Sequence, residues 1–162
     1  DFLTGLYNRR MFIKKLKQMY QAFSEQDRVF SICIFDIDYF KKVNDQYGHL
    51  TGDAVLAGVA EQMRRFFDDS CILARFGGEE FVALLPDTPP EAAQRIAREI
   101  LAAIENHQWP LVGRLTLSAG VTALRPTLQN GTEDSDTALL RRSDEALYQS
   151  KNAGRNQVHY LP

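Results

Sequence analysis

The chain has 162 residues, of which 44% are hydrophobic and 25% are charged, and its formal net charge is −2. This composition predicts one globular domain with a substantial core, and the nearly balanced charge argues against non-specific binding to nucleic acid. The apolar runs are too short to span a membrane, and no secretory signal precedes the first predicted helix. Cys33 and Cys71 lie in apolar segments and are interpreted as buried free thiols in a reducing compartment, which favours a cytoplasmic location.

Helices and strands are predicted to alternate along the chain. Asn8 is predicted to cap a first helix that extends to about Ser24, with apolar side chains every three or four residues. The β-branched and aromatic residues 29–37 are typical of a central buried strand. The other predicted elements are a short helix at 38–48, a helix at 51–67, strands at 72–76 and 81–85, a helix at 89–106, a strand at 115–124, a loop at 126–134, a helix at 137–153 and an edge strand at 158–160. This order predicts an α+β fold of the ferredoxin-like class, in which helices flank one mixed sheet.

Two carboxylates, Asp36 and Asp38, stand at the end of the predicted central strand. Residues i and i+2 of a strand face the same side, so both side chains could contact a hard cation. Asp38 has an alternative role as the cap of the next helix, and this is the interpretation that we favour for it. Asp36 has no such structural role, so it is the stronger candidate for a functional carboxylate.

A second unusual segment places Gly77 and Gly78 before Glu79 and Glu80, between two predicted strands. Glycines allow the backbone to turn tightly and to approach a ligand closely. Adjacent residues of a strand face opposite sides, so at most one of the two acids is expected to point where Asp36 points. A hairpin with solvated acids is the alternative. A strand-end Asp with a hairpin Glu is, however, how a palm-type sheet holds Mg²⁺ over a nucleoside triphosphate.

Basic residues form the third candidate feature. Lys151 and Arg155 are four residues apart at the end of the last predicted helix, so we expect them to share a face and to hold phosphate. The alternative is that they complement the negative C-terminal end of the helix dipole, and the residues alone do not decide between the two roles. Lys41 and Lys42, which follow the acidic strand end, are similarly ambiguous.

Together these segments resemble the GGDEF domain family, the diguanylate cyclases, in its GGEEF form at residues 77–81. The resemblance spans essentially the whole chain, with matching segments at 1–10, 36–53, 117–121 and 146–156. Domains of this family are similar in fold to polymerase palms and class III nucleotide cyclases. The resemblance implies a single GGDEF domain over residues 1–162, whose reaction condenses two GTP molecules into cyclic di-GMP and releases two pyrophosphates.

The resemblance also implies a role for each matching residue. Asp36, the backbone carbonyl of Ile37 and Glu79 would hold Mg²⁺, with Glu80 as a further ligand, two ions per GTP and Mn²⁺ as an alternative metal. Glu79 would also help to deprotonate the attacking hydroxyl. The residues implied in substrate binding are Asn44 and Asp53 for the guanine base, and Tyr39, Phe40, Lys41, Gly77, Gly78, Lys151 and Arg155 for the phosphates.

The resemblance further implies that each domain holds one GTP, so that two domains must face each other as an antiparallel homodimer. The chain begins at Asp1 without an initiator methionine, and we expect a piece of a longer protein, membrane-anchored or not, whose upstream sensory part brings two domains together. No contact of this domain with nucleic acid or membrane is expected. The alternative functions are a GTP-binding signalling domain without catalysis and a structural dimerisation module.

The chain departs from the family at one regulatory site. Many GGDEF domains carry an inhibitory Arg-x-x-Asp motif, whose Asp lies six residues before the first motif glycine. Counting back from Gly77 places Asp68 at the Arg position and Cys71 at the Asp position. A carboxylate repels the phosphates of the product, and a thiol is a weak acceptor for a guanine edge. We therefore expect no tight binding of cyclic di-GMP and no feedback inhibition at this site.

Overall fold

The computed structural model describes residues 1–124 and 134–162. Its strands are β1 (Tyr7–Asn8), β2 (Phe30–Ile37), β3 (Ile72–Arg75), β4 (Glu80–Pro86), β5 (Leu117–Ala123) and β6 (Val158–Tyr160). Its helices are α1 (Arg9–Glu25), α2 (Phe40–Tyr47), α3 (His49–Arg64), α4 (Pro90–Asn106) and α5 (Asp136–Asn152). The strands form a mixed sheet in the order β1-β3-β4-β2-β5-β6. This arrangement, a mixed sheet flanked by helices, confirms the predicted fold class.

Strand β2 lies in the middle of the sheet and pairs antiparallel with both β4 and β5. All eight of its residues are buried. A strand that is covered on both faces needs apolar side chains on both, which explains why its sequence lacks a clean alternation. The prediction of a central buried strand at this position is confirmed.

The two faces of the sheet pack against different helices. Phe35 and Ile37 of β2 belong to a core cluster with residues of α3 and α4, whereas Ile32 and Ile34 belong to a second cluster with residues of α1 and α5. Because side chains alternate along a strand, Asp36 has the same orientation as Ile34. The strand therefore presents Asp36 on the side of α1 and α5, at the edge of the core.

The boundaries of several elements differ from the prediction. Helix α3 begins at His49, after a turn at Gly48 with φ 86°, and so includes two residues predicted to precede it. Strand β1 is absent from the prediction, since two residues carry no periodic signal, and its evidence is long-range pairing with β3. Cys33 is buried as predicted, but Cys71 is only half-buried. The loop predicted at 126–134 lies, except for its last residue, outside the described residues.

Among residues 1–124 and 134–162, no helix is both long enough and apolar enough to cross a membrane.

Candidate active site

Asp36 lies near the end of β2 with only 6% of its surface exposed. It stands opposite Glu80 of β4 on one side and Ser118 of β5 on the other. Its Oδ2 atom is 3.0 Å from Nζ of Lys151, which lies in the last turn of α5. Burial raises the pKa of Asp36 to about 6, although the neighbouring ammonium group lowers it. The structure thus brings the predicted carboxylate and one predicted phosphate-binding cation into direct contact.

The two acids of the hairpin reach this strand end in different ways. Glu80 is directly opposite Asp36 in the register, so both side chains project from the same face of the sheet. Burial is the main cause that raises the pKa of Glu80, and the nearby charge of Asp144 raises it further. Glu79 precedes β4, and its backbone carbonyl accepts a hydrogen bond of 3.3 Å from the N–H of Ile37. The charges of both glutamates raise the pKa of Asp36, which places all three carboxylates in one electrostatic environment.

The turn before β4 is tight. The N–H groups of Phe76 and Gly77 both donate to the carbonyl of Glu80, at 2.8 and 3.3 Å. A Cβ atom at Gly77 would lie 2.8 Å from Oε2 of Glu80, whereas a Cβ atom at Gly78 would meet nothing within 4 Å. A side chain at Gly77 would therefore displace the carboxylate of Glu80 from its present position. The open surface at Gly78 leaves its backbone accessible to a ligand.

Arg75 anchors this hairpin to the start of the chain. Its Nε and Nη2 atoms donate to the carbonyl of Gly78 at 3.1 and 2.8 Å, and its Nη1 atom lies 3.3 Å from Oδ1 of Asp1. The other carboxylate oxygen of Asp1 accepts from the N–H and the hydroxyl of Thr4 at 2.9 and 2.6 Å. The guanidinium group thus joins the N-terminal turn to the hairpin that carries the glutamates.

Asp38 does not cap α2, so the interpretation that the sequence favoured is wrong. Its Oδ1 atom accepts from the hydroxyl of Ser118 at 2.6 Å, and its Oδ2 atom accepts from the hydroxyl of Thr116 at 2.7 Å and the N–H of Asn156 at 3.1 Å. The residue before α2 is Tyr39, which has φ 55° and provides no side-chain cap. Donors at the start of β5 and in the turn after α5 hold the carboxylate, so it makes no hydrogen bond to the start of α2.

Arg155 does not share a helix face with Lys151, which is a second correction. Helix α5 ends at Asn152, and Arg155 follows it in a turn with φ 66°. Its Cζ atom lies 4.5 Å from the ring centroid of Tyr39, and Nζ of Lys42 also lies 4.5 Å from that centroid. These are cation–π distances. Lys151 therefore contacts Asp36 from the helix, and Arg155 contacts Tyr39, three residues later, from the turn.

Lys41 lies at the start of α2, with 91% of its side chain exposed, and its ammonium group is 4.0 Å from Asp45 one turn later. Phe40 is buried beneath the helix. The ring of Phe40 thus has a packing role, whereas the side chain of Lys41 is open to solvent.

Asn44 and Asp53, the predicted base-binding pair, come from α2 and α3. A Cβ atom at Gly52 would lie 1.8 Å from Oδ1 of Asn44 and 3.3 Å from the ring of Phe40. Only glycine permits this contact between the two helices. Asp53 is the next residue along α3 after Gly52 and is exposed.

The donors at the end of β2 fit a hard divalent cation by their chemistry, because carboxylate oxygens are the ligands that Mg²⁺ prefers. Within residues 1–124 and 134–162, no group of three His, Cys, Asp or Glu side chains is gathered closely enough to hold a metal ion. Asp36 is paired with Lys151 there. A cation at Asp36 would therefore compete with Lys151 for the same carboxylate oxygen.

Asp68 and Cys71, at the positions of the inhibitory motif, lie away from this site. Asp68 accepts a hydrogen bond of 2.8 Å from the N–H of Ser70 and a second from its hydroxyl. These bonds lower the pKa of Asp68, so it is an anion at neutral pH. Both residues line a cavity of about 540 Å³ beside Arg64 and Phe67.

The fold and this site define an α+β domain with an acidic strand end that faces a glycine hairpin and two cations. The model of the family described as "Diguanylate cyclase, GGDEF domain" matches residues 1–157 of the chain. The chain therefore belongs to the GGDEF domain family. This membership confirms the family that the sequence predicted.

Similar proteins agree with this assignment. The chain is 38% identical over 98% of its length to the diguanylate cyclase DgcP of Pseudomonas aeruginosa, and it covers 23% of that protein. It is 39% identical over 98% of its length to the response regulator PleD of Caulobacter vibrioides, and it covers 35% of that protein. The chain thus spans well under half of these relatives.

Solved structures match along nearly the whole chain. The GGDEF domain of DgcB from Caulobacter crescentus, in complex with c-di-GMP, superposes with a TM-score of 0.92 and 31% identity, covering 99% of this chain and 94% of that one. The active GGEEF domain of a diguanylate cyclase from Vibrio cholerae gives a TM-score of 0.88 at 33% identity, covering 97% and 98%.

Proposed function

We propose that this domain is an active diguanylate cyclase, which condenses two GTP molecules into cyclic di-GMP with release of two pyrophosphates. The observation that carries the proposal is the meeting of Asp36, Glu80 and Lys151 at the end of β2. Carboxylates that hold a metal and a cation that holds phosphate are both needed for nucleotidyl transfer. The GGEEF residues 77–81 retain both acids of the motif, which favours catalysis over a purely binding function.

The metal site would be formed by Asp36, the backbone carbonyl of Ile37, Glu79 and Glu80, with two Mg²⁺ ions per GTP and Mn²⁺ as an alternative. When bound, the metal lowers the pKa of the attacking 3′-hydroxyl and neutralises charge on the pyrophosphate that leaves. Support comes from the buried position of Asp36 and the shared field of the three carboxylates. Glu79, the acid next to the open backbone at Gly78, is the candidate to accept the hydroxyl proton.

The phosphates of GTP would be held by cations and backbone N–H groups around this metal site. Lys151 and Arg155 would contact the terminal phosphates, since Lys151 lies at Asp36 and Arg155 lies at Tyr39, just after β2. The backbone N–H groups at Tyr39 and Phe40, where α2 begins, would bind a further phosphate oxygen. Gly77 and Gly78 would allow the α-phosphate to approach the hairpin. Lys41 is a weaker candidate, because its charge is exposed beside Asp45.

The guanine base would be read by Asn44 and Asp53. A carboxylate accepts hydrogen bonds from the N1–H and N2–H₂ groups of guanine, and adenine offers no such pair of donors. The amide of Asn44 would bind the N3 side of the base. Support comes from Gly52, which allows Asn44 of α2 to lie against the part of α3 that precedes Asp53.

Two such domains would act together as an antiparallel homodimer, in which each 3′-hydroxyl attacks the α-phosphate of the other GTP. The upstream sensory part expected in the full protein would set how often two domains meet. Specific activity should therefore rise with protein concentration, and fusion of a dimeric coiled coil to the N-terminus should raise it further. A specific activity that stays constant over several decades of concentration, beginning below micromolar, would contradict this assembly.

We also infer a cytoplasmic location, which fits the GTP substrate and the free thiol of Cys33.

We further propose that the domain lacks product inhibition through Asp68 and Cys71. The anion at Asp68 repels phosphate, and Cys71 is a half-buried thiol. Calorimetry of cyclic di-GMP, with the active site filled by a non-hydrolysable GTP analogue, should show no sub-micromolar binding. Tight binding that disappears on Asp68→Ala or Cys71→Ala would overturn this proposal.

One assay separates the candidate functions. The protein is incubated with GTP and Mg²⁺, the products are resolved by chromatography, and GTP binding is measured in parallel. A diguanylate cyclase forms cyclic di-GMP. A signalling domain without catalysis binds GTP and leaves it intact, and a structural module does neither. Absence of product from the coiled-coil fusion would rule out the proposed activity.

A further inference from the structure

We propose that Asp38 is a positioning residue that holds Arg155 in place for the phosphates of the substrate. The inference rests on the proposed diguanylate cyclase function, in which Arg155 binds GTP. It assigns to Asp38 a role that is neither metal binding nor helix capping.

This turn is unusual because three successive residues have positive φ. Gly154, Arg155 and Asn156 have φ values of 116°, 66° and 47°. Glycine adopts this region freely and asparagine tolerates it, but for arginine it is unfavourable because Cβ crowds the backbone. A residue keeps such a conformation only when its surroundings hold it there. The position of the Arg155 guanidinium group therefore depends on the contacts that fix the turn.

Several hydrogen bonds fix the turn, and three of them connect it to different parts of the fold. The N–H of Arg155 donates to the carbonyl of Ser150 at 3.0 Å. The side-chain amide of Asn156 donates to Glu105 at 2.8 Å, and its backbone N–H donates to Oδ2 of Asp38 at 3.1 Å. The first bond is internal to the end of α5 and the second reaches α4. The bond to Asp38 connects the turn to the end of β2, the strand that carries Asp36.

Asp38 is itself held firmly. It is 5% exposed, and its carboxylate also accepts from the hydroxyls of Thr116 and Ser118, at 2.7 and 2.6 Å. Its backbone N–H donates to the carbonyl of Thr116 at 2.9 Å. With three donors on two oxygens and little solvent access, the carboxylate has little freedom to rotate. The carboxylate therefore holds the turn at a fixed position relative to β2 and β5.

The consequence is a fixed distance between two parts of the proposed phosphate site. Asp36 is two residues before Asp38, and Arg155 is one residue before Asn156. Without the carboxylate, the turn loses its hydrogen bond to the end of β2, and we expect the guanidinium group to shift from its place over Tyr39. The loss should appear as weaker phosphate binding, and the carboxylates at the end of β2 should be unaffected.

The test is a double-mutant cycle read by calorimetric binding of a non-hydrolysable GTP analogue with Mg²⁺. We expect Asp38→Ala and Arg155→Ala each to weaken binding on the order of tenfold, and the double variant to bind no more weakly than Arg155→Ala alone. The midpoint of the Mg²⁺ dependence should be the same in Asp38→Ala as in the unchanged protein. Additive losses, or a shifted Mg²⁺ midpoint, would show that Asp38 acts independently of Arg155.

Two matched variants serve as controls. In Asp38→Asn the amide oxygen can still accept from Asn156 and Thr116 while the NH₂ group donates to Ser118, so we expect affinity within about threefold of the unchanged protein. Thr116→Ser keeps the hydroxyl that donates to Asp38, and it should also bind within about threefold. A tenfold loss in either control would contradict the positioning role.

Folding and function are tested separately. If Asp38→Ala does not fold, the double substitution Thr116→Val and Ser118→Ala removes two of the hydrogen bonds that hold the Asp38 carboxylate. We expect this variant to bind the GTP analogue more weakly, and we expect no further loss when it is combined with Arg155→Ala. The amide resonance of Asn156 in nuclear magnetic resonance spectra reports the turn without any nucleotide, and Asp38→Ala should shift it. An unchanged protein that binds no GTP refutes the proposed function. A protein that binds GTP equally well with and without Asp38 refutes only this inference.

Discussion

The two ends of the proposed GTP site are built differently. At the phosphate end, Asp36 and Asp38 are 6% and 5% exposed, and their partners Lys151 and Asn156 lie more than a hundred positions later in the chain. At the base end, Asn44 and its neighbours come from two consecutive helices, and Asp53 is exposed. One end is assembled by the tertiary fold and the other by a local helix pair.

The difference predicts how each end responds to change. Buried charges are costly unless they are paired, so substitutions at the phosphate end should alter charge balance, stability and catalysis together. Exposed polar groups contribute through the ligand alone, so substitutions at the base end should change affinity and selectivity and leave folding intact. The predictions below test this contrast.

The largest effect is expected at the carboxylates. Asp36→Asn or Glu79→Gln should reduce formation of cyclic di-GMP at least a hundredfold, because each removes an anionic oxygen from a hard-cation site. Chromatographic product assays on folded variants measure this loss. Asp87→Asn, beyond the opposite end of β4, is the control and should keep full activity. Normal turnover in either active-site variant would refute the assignment of the metal site.

The base end should show a smaller effect that depends on the nucleotide. Asn44→Ala or Asp53→Ala should weaken GTP binding by roughly 1–3 kcal/mol, since a hydrogen-bonding group of the base is left unpaired. Binding of ATP should be weak in the unchanged protein and unaffected by either change. Thermal unfolding should be nearly unaltered, with Gln46→Ala as the matched control on α2. Equal affinities for GTP and ATP would show that this pair does not read the base.

Asp36 should also make stability depend on pH in metal-free solution. Burial raises its pKa to about 6 in the folded protein, above its value in the unfolded chain. The folded protein therefore binds this proton more tightly, and the stability due to this group falls as pH rises from about 4 to about 6. Asp36→Asn should increase the free energy of unfolding by about 1–2 kcal/mol at pH 7, after allowance for screening, and by little at pH 4. Denaturant unfolding with a chelator present measures both, and an equal gain at the two pH values would contradict the raised pKa.

The smallest effect is expected where a helix contact supports the base end indirectly. Gly52→Ala places a Cβ atom 1.8 Å from the present position of Oδ1 of Asn44, so the amide must move. We expect GTP affinity to fall about threefold to tenfold, with less change in folding than in ligand binding. Gly58→Ala is the contrasting control, because its Cβ would lie 2.8 Å from the ring of Trp109. That variant should lose stability and keep its preference for GTP over ATP.

The same contrast explains what the sequence could predict. The central strand and the hairpin were predictable because burial and glycine turns leave local patterns. Asp38 was interpreted wrongly because an acid before a helix is also a common cap, and its real partners at Thr116, Ser118 and Asn156 are remote in sequence. The prediction that Arg155 shares a helix face with Lys151 was wrong for a related reason. A spacing of four residues implies a shared face only while the helix continues.

One measurement tests most directly whether these two regions hold the two ends of one nucleotide. Calorimetry compares a non-hydrolysable GTP analogue, the matching ATP analogue and guanosine, each with and without Mg²⁺, in the unchanged protein and in Asp36→Asn. The account predicts that only the GTP analogue binds tightly, and that its affinity falls without Mg²⁺ or with Asp36→Asn. Guanosine should bind weakly, and neither Mg²⁺ nor Asp36→Asn should change its affinity. Binding of the GTP analogue that is independent of Mg²⁺ and of Asp36 would contradict the account.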